Sequence, residues 1–218
     1  MKDAQGNLVQ GRTRWRRFAA VMVPAVAAAS LLVVGIANGA IPASFAVSGS
    51  EFKVSADELD GTGFVQYGGF VSQAGGRILP NGLPDPTDSK NHAVAVSGIH
   101  EASLTKLCQS VVVPGTGISL VIHAGGNGTA ATAENLLIDL TQLNGDASFG
   151  NITIGQDAST LDEGQPGAKG LPGFFGQQAD TVKITHLTQI AWSTSAGTFN
   201  LNGLDLHVSL NKEECFPS

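Results

Sequence analysis

Charge is what this sequence has least of. Only 14% of its residues are Asp, Glu, Lys or Arg, against about 25% in an average soluble domain. That figure excludes long charged helices and disordered charge tracts, which are built from such residues. Cysteine is nearly absent: Cys108 and Cys215 are the only two. No Cys-x-x-Cys pair can be written, so zinc-ribbon and thioredoxin-type motifs are ruled out. The five histidines, His92, His100, His123, His186 and His207, never fall four apart, which removes the helical zinc-hydrolase pattern. No Gly-x-Ser-x-Gly elbow occurs, and the nearest phrase, Gly69 to Gly75, has the wrong spacing. Gly125-Gly126-Asn127-Gly128-Thr129 lacks the lysine of a phosphate loop and reads as a turn. No metal and no cofactor is called for by any of these patterns.

The charges that exist are unevenly placed. Lys2, Arg12, Arg14, Arg16 and Arg17 precede an uncharged run over residues 18–41. After residue 41 only seven basic residues face seventeen acidic ones. A surface so acidic cannot supply the clustered cations that phosphate backbones require, so nucleic acid is excluded as a partner. Anionic lipid surfaces repel it for the same reason.

Residues 18–41 are 24 positions without a charge, and a helix of about 20 apolar residues spans a bilayer core. The basic residues before the run keep the N-terminus in the cytoplasm and send the remainder outside. The expected organisation is a cytoplasmic basic segment over 1–17, a transmembrane helix or signal peptide over 18–41, and an extracytoplasmic domain over 47–218. Ser44-Phe45-Ala46 offers the small residues of a signal cleavage site. Both outcomes, a single-pass anchor in the cytoplasmic membrane and a secreted product, remain open at this point.

Export changes the meaning of the two cysteines. In an oxidising compartment Cys108 and Cys215 are expected to form one disulfide, tying the C-terminal tail to the middle of the domain.

Glycine, with 28 residues, and short alternating runs point to a mainly β domain, an antiparallel β-sandwich or layered β architecture. Ile118 to His123, Gln109 to Val113 and Ile152 to Ile154 read as strands. Phe199 and Leu201, then Leu204, Leu206, Val208 and Leu210, alternate on either side of Asn202-Gly203, which predicts a hairpin. Asn144-Gly145 is a second candidate turn. Residues 133–143 and 99–107 fit both a helical stripe and strand alternation. Ala133-Glu134 with Leu140 to Leu143, and Ala179-Asp180 with Leu187 to Ile190, hint at an internal repeat.

Two long loops interrupt the pattern, residues 75–91 and 155–180. Asp157, Asp162 and Glu163 in the second lack the spacing of a calcium loop and read as a solvated acidic segment. Phe174 and Phe175, set between glycines, are either a partner-contact tip or a lid folded onto the core; packing on the core is the expectation. His123 and His207 read as ordinary strand residues.

Several longer phrases carry a resemblance. Ser44-Phe45-Ala46-Val47-Ser48-Gly49, Phe52-Lys53-Val54-Ser55-Ala56, Leu107-Cys108-Gln109-Ser110-Val111, Ile154-Gly155-Gln156-Asp157-Ala158, Phe175-Gly176-Gln177-Gln178-Ala179-Asp180 and Ala191-Trp192 resemble an actinobacterial, streptomycete-type family of exported membrane-anchored proteins. That family is of unknown function, and its members are often labelled cholesterol esterase. The resemblance implies a cell-envelope protein that binds a lipid, polymer or protein partner, with its N-terminal helix in the membrane. The label implies an alternative, a lipid or sterol ester hydrolase, which needs a serine with a histidine in reach and an oxyanion hole. No catalytic residue transfers.

Overall fold

A computed structural model describes residues 49–217. The expected basic segment and apolar run, 1–17 and 18–41, lie outside the described residues. Nine strands follow in order: β1 (Phe52–Ser72), β2 (Asn91–Thr105), β3 (Leu107–Val112), β4 (Ser119–Ala124), β5 (Ala131–Gly150), β6 (Thr153–Asp157), β7 (Phe175–Ser195), β8 (Thr198–Asn200) and β9 (Asp205–Ser209). The described residues contain no α-helix, only one 3-10 turn at Ala158–Thr160. No helix among them is long and apolar enough to cross a membrane.

All strands belong to one antiparallel sheet. β1 pairs β2, β2 pairs β5, β5 pairs β7, and β7 pairs β1. Four long strands therefore close on themselves, and a single sheet supplies the layering that two sheets were expected to give. Closure also removes the exposed edges that strands of 21, 15, 20 and 21 residues would otherwise present. The core inside includes Leu59, Phe64, Ile99, Leu104, Leu136, Val182 and Leu187. Each such side chain contributes about 1.5–3 kcal/mol by leaving water.

Strands this long wrap a core because their alternation is reset twice. In a regular strand the inward residues step by two. Here they step by three from Leu104 to Leu107, from Ala133 to Leu136 and from Ile184 to Leu187. The residue before the second of each pair is left-handed: Lys106 (φ 49°), Asn135 (φ 54°) and His186 (φ 54°). Gly63 (φ 63°) does the same for β1 between Leu59 and Phe64. A left-handed residue turns the next side chain to the opposite face and bends the strand. These residues line up across the sheet in two rows. One joins Lys106 to Asp57 at 2.6 Å and His186 Nδ1 to Asp146 Oδ2 at 3.1 Å. The other joins His100 Nδ1 to Asn135 Oδ1 at 3.0 Å and Asn151 Nδ2 to Asp180 Oδ2 at 2.6 Å, with Gly63 between.

The two ambiguous segments are thereby explained. Residues 133–143 lie in β5 and residues 99–107 run from β2 through Lys106 into β3, and the three-residue step at each left-handed position imitates a helical stripe. The expected turn at Asn144-Gly145 is instead a bulge inside β5, with Gly145 at φ 152° and a register shift between Asn144 and Asp146. The two phrases of the apparent repeat fall on neighbouring antiparallel strands, β5 and β7.

Residues 158–174 cross the outer face of β1 and bury Ala158, Leu161 and Ala168 against Val65. Glycine is required where this loop passes β1. A Cβ on Gly63 would sit 2.4 Å from the carbonyl oxygen of Glu163. The other loop, 75–91, is held by Asp85, whose carboxylate accepts from the Thr87 amide at 2.8 Å and meets Arg77 Nε at 2.8 Å. Those bonds hold its carboxyl below the usual aspartate range, Thr87 being the first cause and Arg77 a lesser one.

Candidate interaction surface

β3, β4 and β9 extend the sheet beyond the closed part, in that order from β1. Their two faces have opposite fates, because alternate residues point to opposite sides.

One face is strapped by the C-terminal tail. Cys215 is bonded to Cys108, with a Cα separation of 5.8 Å. Around that bond the tail is tied to the sheet by polar contacts. The Cys215 amide donates to Ser110 Oγ at 3.0 Å, and the Glu213 amide donates to Ser119 Oγ at 3.0 Å. Lys53 Nζ meets Glu214 at 3.1 Å and donates to the Phe216 carbonyl at 3.0 Å. His207 Nε2 lies 3.3 Å from Glu213, and its ring stacks on His123 at 6.2 Å. Both histidines are thus strand residues, as expected from their alternation. Val121 is 1% exposed beneath it.

The opposite face is apolar and open. Val54 pairs with Gln109, Gln109 with Ile122, and Ile122 with Leu206, so these four side chains form one row. The row begins in the core, where Val54 is 5% exposed, and ends in solvent, where Leu206 is 53% exposed. The next row runs from Val111 to Leu120 to Val208. Along the outermost strand Leu204, Leu206, Val208 and Leu210 are 53%, 53%, 62% and 75% exposed. The inner face of the sheet therefore continues past the core with nothing among the described residues packed on it. Contiguous apolar surface of this kind marks interaction sites, whereas single exposed leucines do not.

This corrects the expected hairpin. Asn202-Gly203 does turn, with Gly203 at φ 67°. But β8 pairs with β5 and β9 pairs with β4, so the turn carries the chain from one part of the sheet to another. Alternation was legible in the sequence; which face would be covered was not.

Phe174 and Phe175 do not pack down as a lid. They are 41% and 58% exposed, and the loop's buried residues are Ala158, Leu161 and Ala168 instead. Phe175 pairs with Asp157 on β6, the strand at the other end of the sheet path from β9. Asp157 caps the 3-10 turn, accepting from Ser159 and from the Gly173 amide, which lowers its carboxyl pKa. Asp162 is held by Gln178 Nε2 at 2.9 Å. Among the described residues no three His, Cys, Asp or Glu side chains gather as metal ligands do.

Two further places hold polar groups. Between the rows of left-handed residues lies a wide groove of about 750 Å³, lined by Asp60, Thr62, Glu101, Ser103, Thr181 and Lys183. Its one cation is engaged, Lys183 meeting Glu58 at 2.8 Å and Asp60 at 3.3 Å. Elsewhere Asp139 accepts a short hydrogen bond from Ser193 Oγ. Burial pushes the Asp139 carboxyl up, and burial together with the Asp139 charge pushes the Tyr67 hydroxyl to about 12. His92 stacks on Trp192 at 3.9 Å and hydrogen-bonds Gln73 at 3.1 Å. The ring nitrogens of the described histidines contact Gln73, Asn135, Asp146, Asp205 and Glu213. None of these is a hydroxyl, so among the described residues no serine is shown hydrogen-bonded to a histidine.

Fold and surface together define, over the described residues, a disulfide-strapped, all-β domain with an apolar sheet face on which none of those residues packs. The chain belongs to a family of unknown function, DUF6230, whose sequence model matches residues 48–216. No curated protein and no solved structure shows detectable similarity to it.

Proposed function

We propose that the protein is an exported cell-envelope component that acts by binding a protein partner, not by turnover. The observation that carries this reading is the open apolar face of β3, β4 and β9. A sheet normally buries its apolar face against another layer, and here the covering layer is supplied by the partner. Export is supported by the basic residues before the uncharged run 18–41 and by the Cys108–Cys215 disulfide. The run anchors the domain on the outer side of the cytoplasmic membrane. The resemblance to streptomycete-type envelope proteins agrees with that placement. A bare lipid surface is a poorer occupant, since the domain is strongly acidic. Among the described residues the cholesterol esterase label finds no serine–histidine pair to rest on.

The test is a pair of charged substitutions on exposed side chains, Leu206→Asp with Val208→Asp. Both side chains are more than half exposed, so the domain still folds and still closes its disulfide. Cross-linking of intact cells is expected to give discrete higher-mass species with the wild type and none with the variant. Identical cross-linked species from both proteins would overturn the proposal.

A further inference from the structure

From the open face we infer its occupant: a second copy of this chain, packed apolar face to apolar face across a two-fold axis. The inference rests on the binding role proposed above and names the partner. Its first support is charge. The face residues Gln109, Val111, Leu120, Ile122, Leu204, Leu206 and Val208 include no ionisable group, while the rest of the domain is crowded with carboxylates. Two such faces can meet without burying a charge, and the acidic surfaces stay in water.

The second support is self-complementarity. An isologous contact needs a patch that fits its own image. Leu204, Leu206, Val208 and Leu210 alternate without interruption on one side of the outermost strand. Facing sheets pack about 10 Å apart with interdigitating side chains, and branched residues two apart leave the gaps that interdigitation fills.

The third support is reach. Ten residues separate Ile41 from Phe52, at most about 36 Å of extended chain. Copies anchored through residues 18–41 are therefore held within that distance of one membrane, which raises the concentration of each copy around the others.

Size sets the strength. Three strands about 4.8 Å apart and seven residues at about 3.3 Å each give a footprint on the order of 300 Å². Stable interfaces cover about 800 Å² on each partner. The pair is therefore weak when free in solution and depends on the high local concentration that a shared membrane gives.

The experiment uses the full-length chain in membranes, with Leu206→p-benzoylphenylalanine as a photo-cross-linking probe and two differently tagged copies co-expressed. The expected product carries both tags at twice the chain mass. Adding Val208→Lys, with the disulfide and melting temperature unchanged, is expected to lower its yield by roughly tenfold or more, because the charge would be buried unpaired. Diluting the membranes into excess detergent is expected to abolish it. An adduct to a different protein overturns the self-pairing and leaves the binding role standing. An adduct to lipid alone, or no adduct at all, overturns both.

Discussion

Replacing Cys215 by serine releases the tail strap, and the size of the effect follows from the chain. The bond joins residues 107 apart in sequence. Cross-linking a loop of about 100 residues removes denatured-state entropy worth about 4.7 kcal/mol at 25 °C. For roughly 170 folded residues the unfolding entropy is about 0.36 kcal/mol per degree, so the melting temperature falls by about 13 °C. Only the denatured chain expands, so the urea m-value should rise with the substitution. Urea unfolding followed by the fluorescence of half-buried Trp192 gives both numbers. Cys108→Ser and the double variant should match Cys215→Ser, since each removes the same single bond. A loss below about 1 kcal/mol with an unchanged m-value would refute the entropic reasoning. It would mean that the polar contacts at Ser110, Ser119 and Lys53 hold the tail by themselves.

Two further predictions concern the closed part of the sheet. At Asn135, φ is 54°, where glycine is comfortable and β-branched residues are not. Asn135→Gly should change stability by less than about 1 kcal/mol, and Asn135→Val should cost about 1–2 kcal/mol more; equal unfolding midpoints would remove the left-handed requirement. For Asp139, burial raises the folded-state pKa above that of the unfolded chain. The folded protein then holds more protons, so this group's contribution to stability falls as pH rises from the unfolded value to the folded one. Asp139→Asn should flatten that falling limb in a plot of urea midpoint against pH between about 3 and 7. Asp85, with its pKa lowered, contributes in the opposite direction, and Asp85→Asn should weaken the protein above the normal aspartate range.

The β class, the disulfide and the strands β3, β4 and β6 were legible in the sequence because each rests on a local pattern or a simple count. The long strands β1 and β7 were not. β1 contains Gly61, Gly63, Gly68 and Gly69 together with Asp57, Glu58 and Asp60, and no strand alternation runs through them. The structure places those charges on the outer face and uses Gly63 for a left-handed reset. The same resets made residues 133–143 look half helical, since a pattern that steps by three at Asn135 and by two elsewhere matches neither period. The interaction face was half legible. Leu204 to Leu210 announce one apolar side, but nothing local says whether a second layer lies on it. That depends on β9 pairing with β4 and not with β8, a long-range choice between two edges.

The strap gives a reason to treat the open face as a purposeful surface. A short C-terminal tail can cover only one side of β3, β4 and β9. Burying the leucine side would remove more apolar area from water, and at about 25 cal/mol per Å² that choice favours the monomer. The chain does the opposite. It spends its tail and its one disulfide on the side carrying Ser110, Ser119, His123 and His207, where the bonds to Cys215 and Glu213 are polar. Such bonds contribute only about 1 kcal/mol each, so the covalent link supplies what apolar burial there does not. Monomer stability is thereby made independent of the leucine side. A face that can be covered and uncovered without unfolding its own domain is what a reversible contact between copies requires.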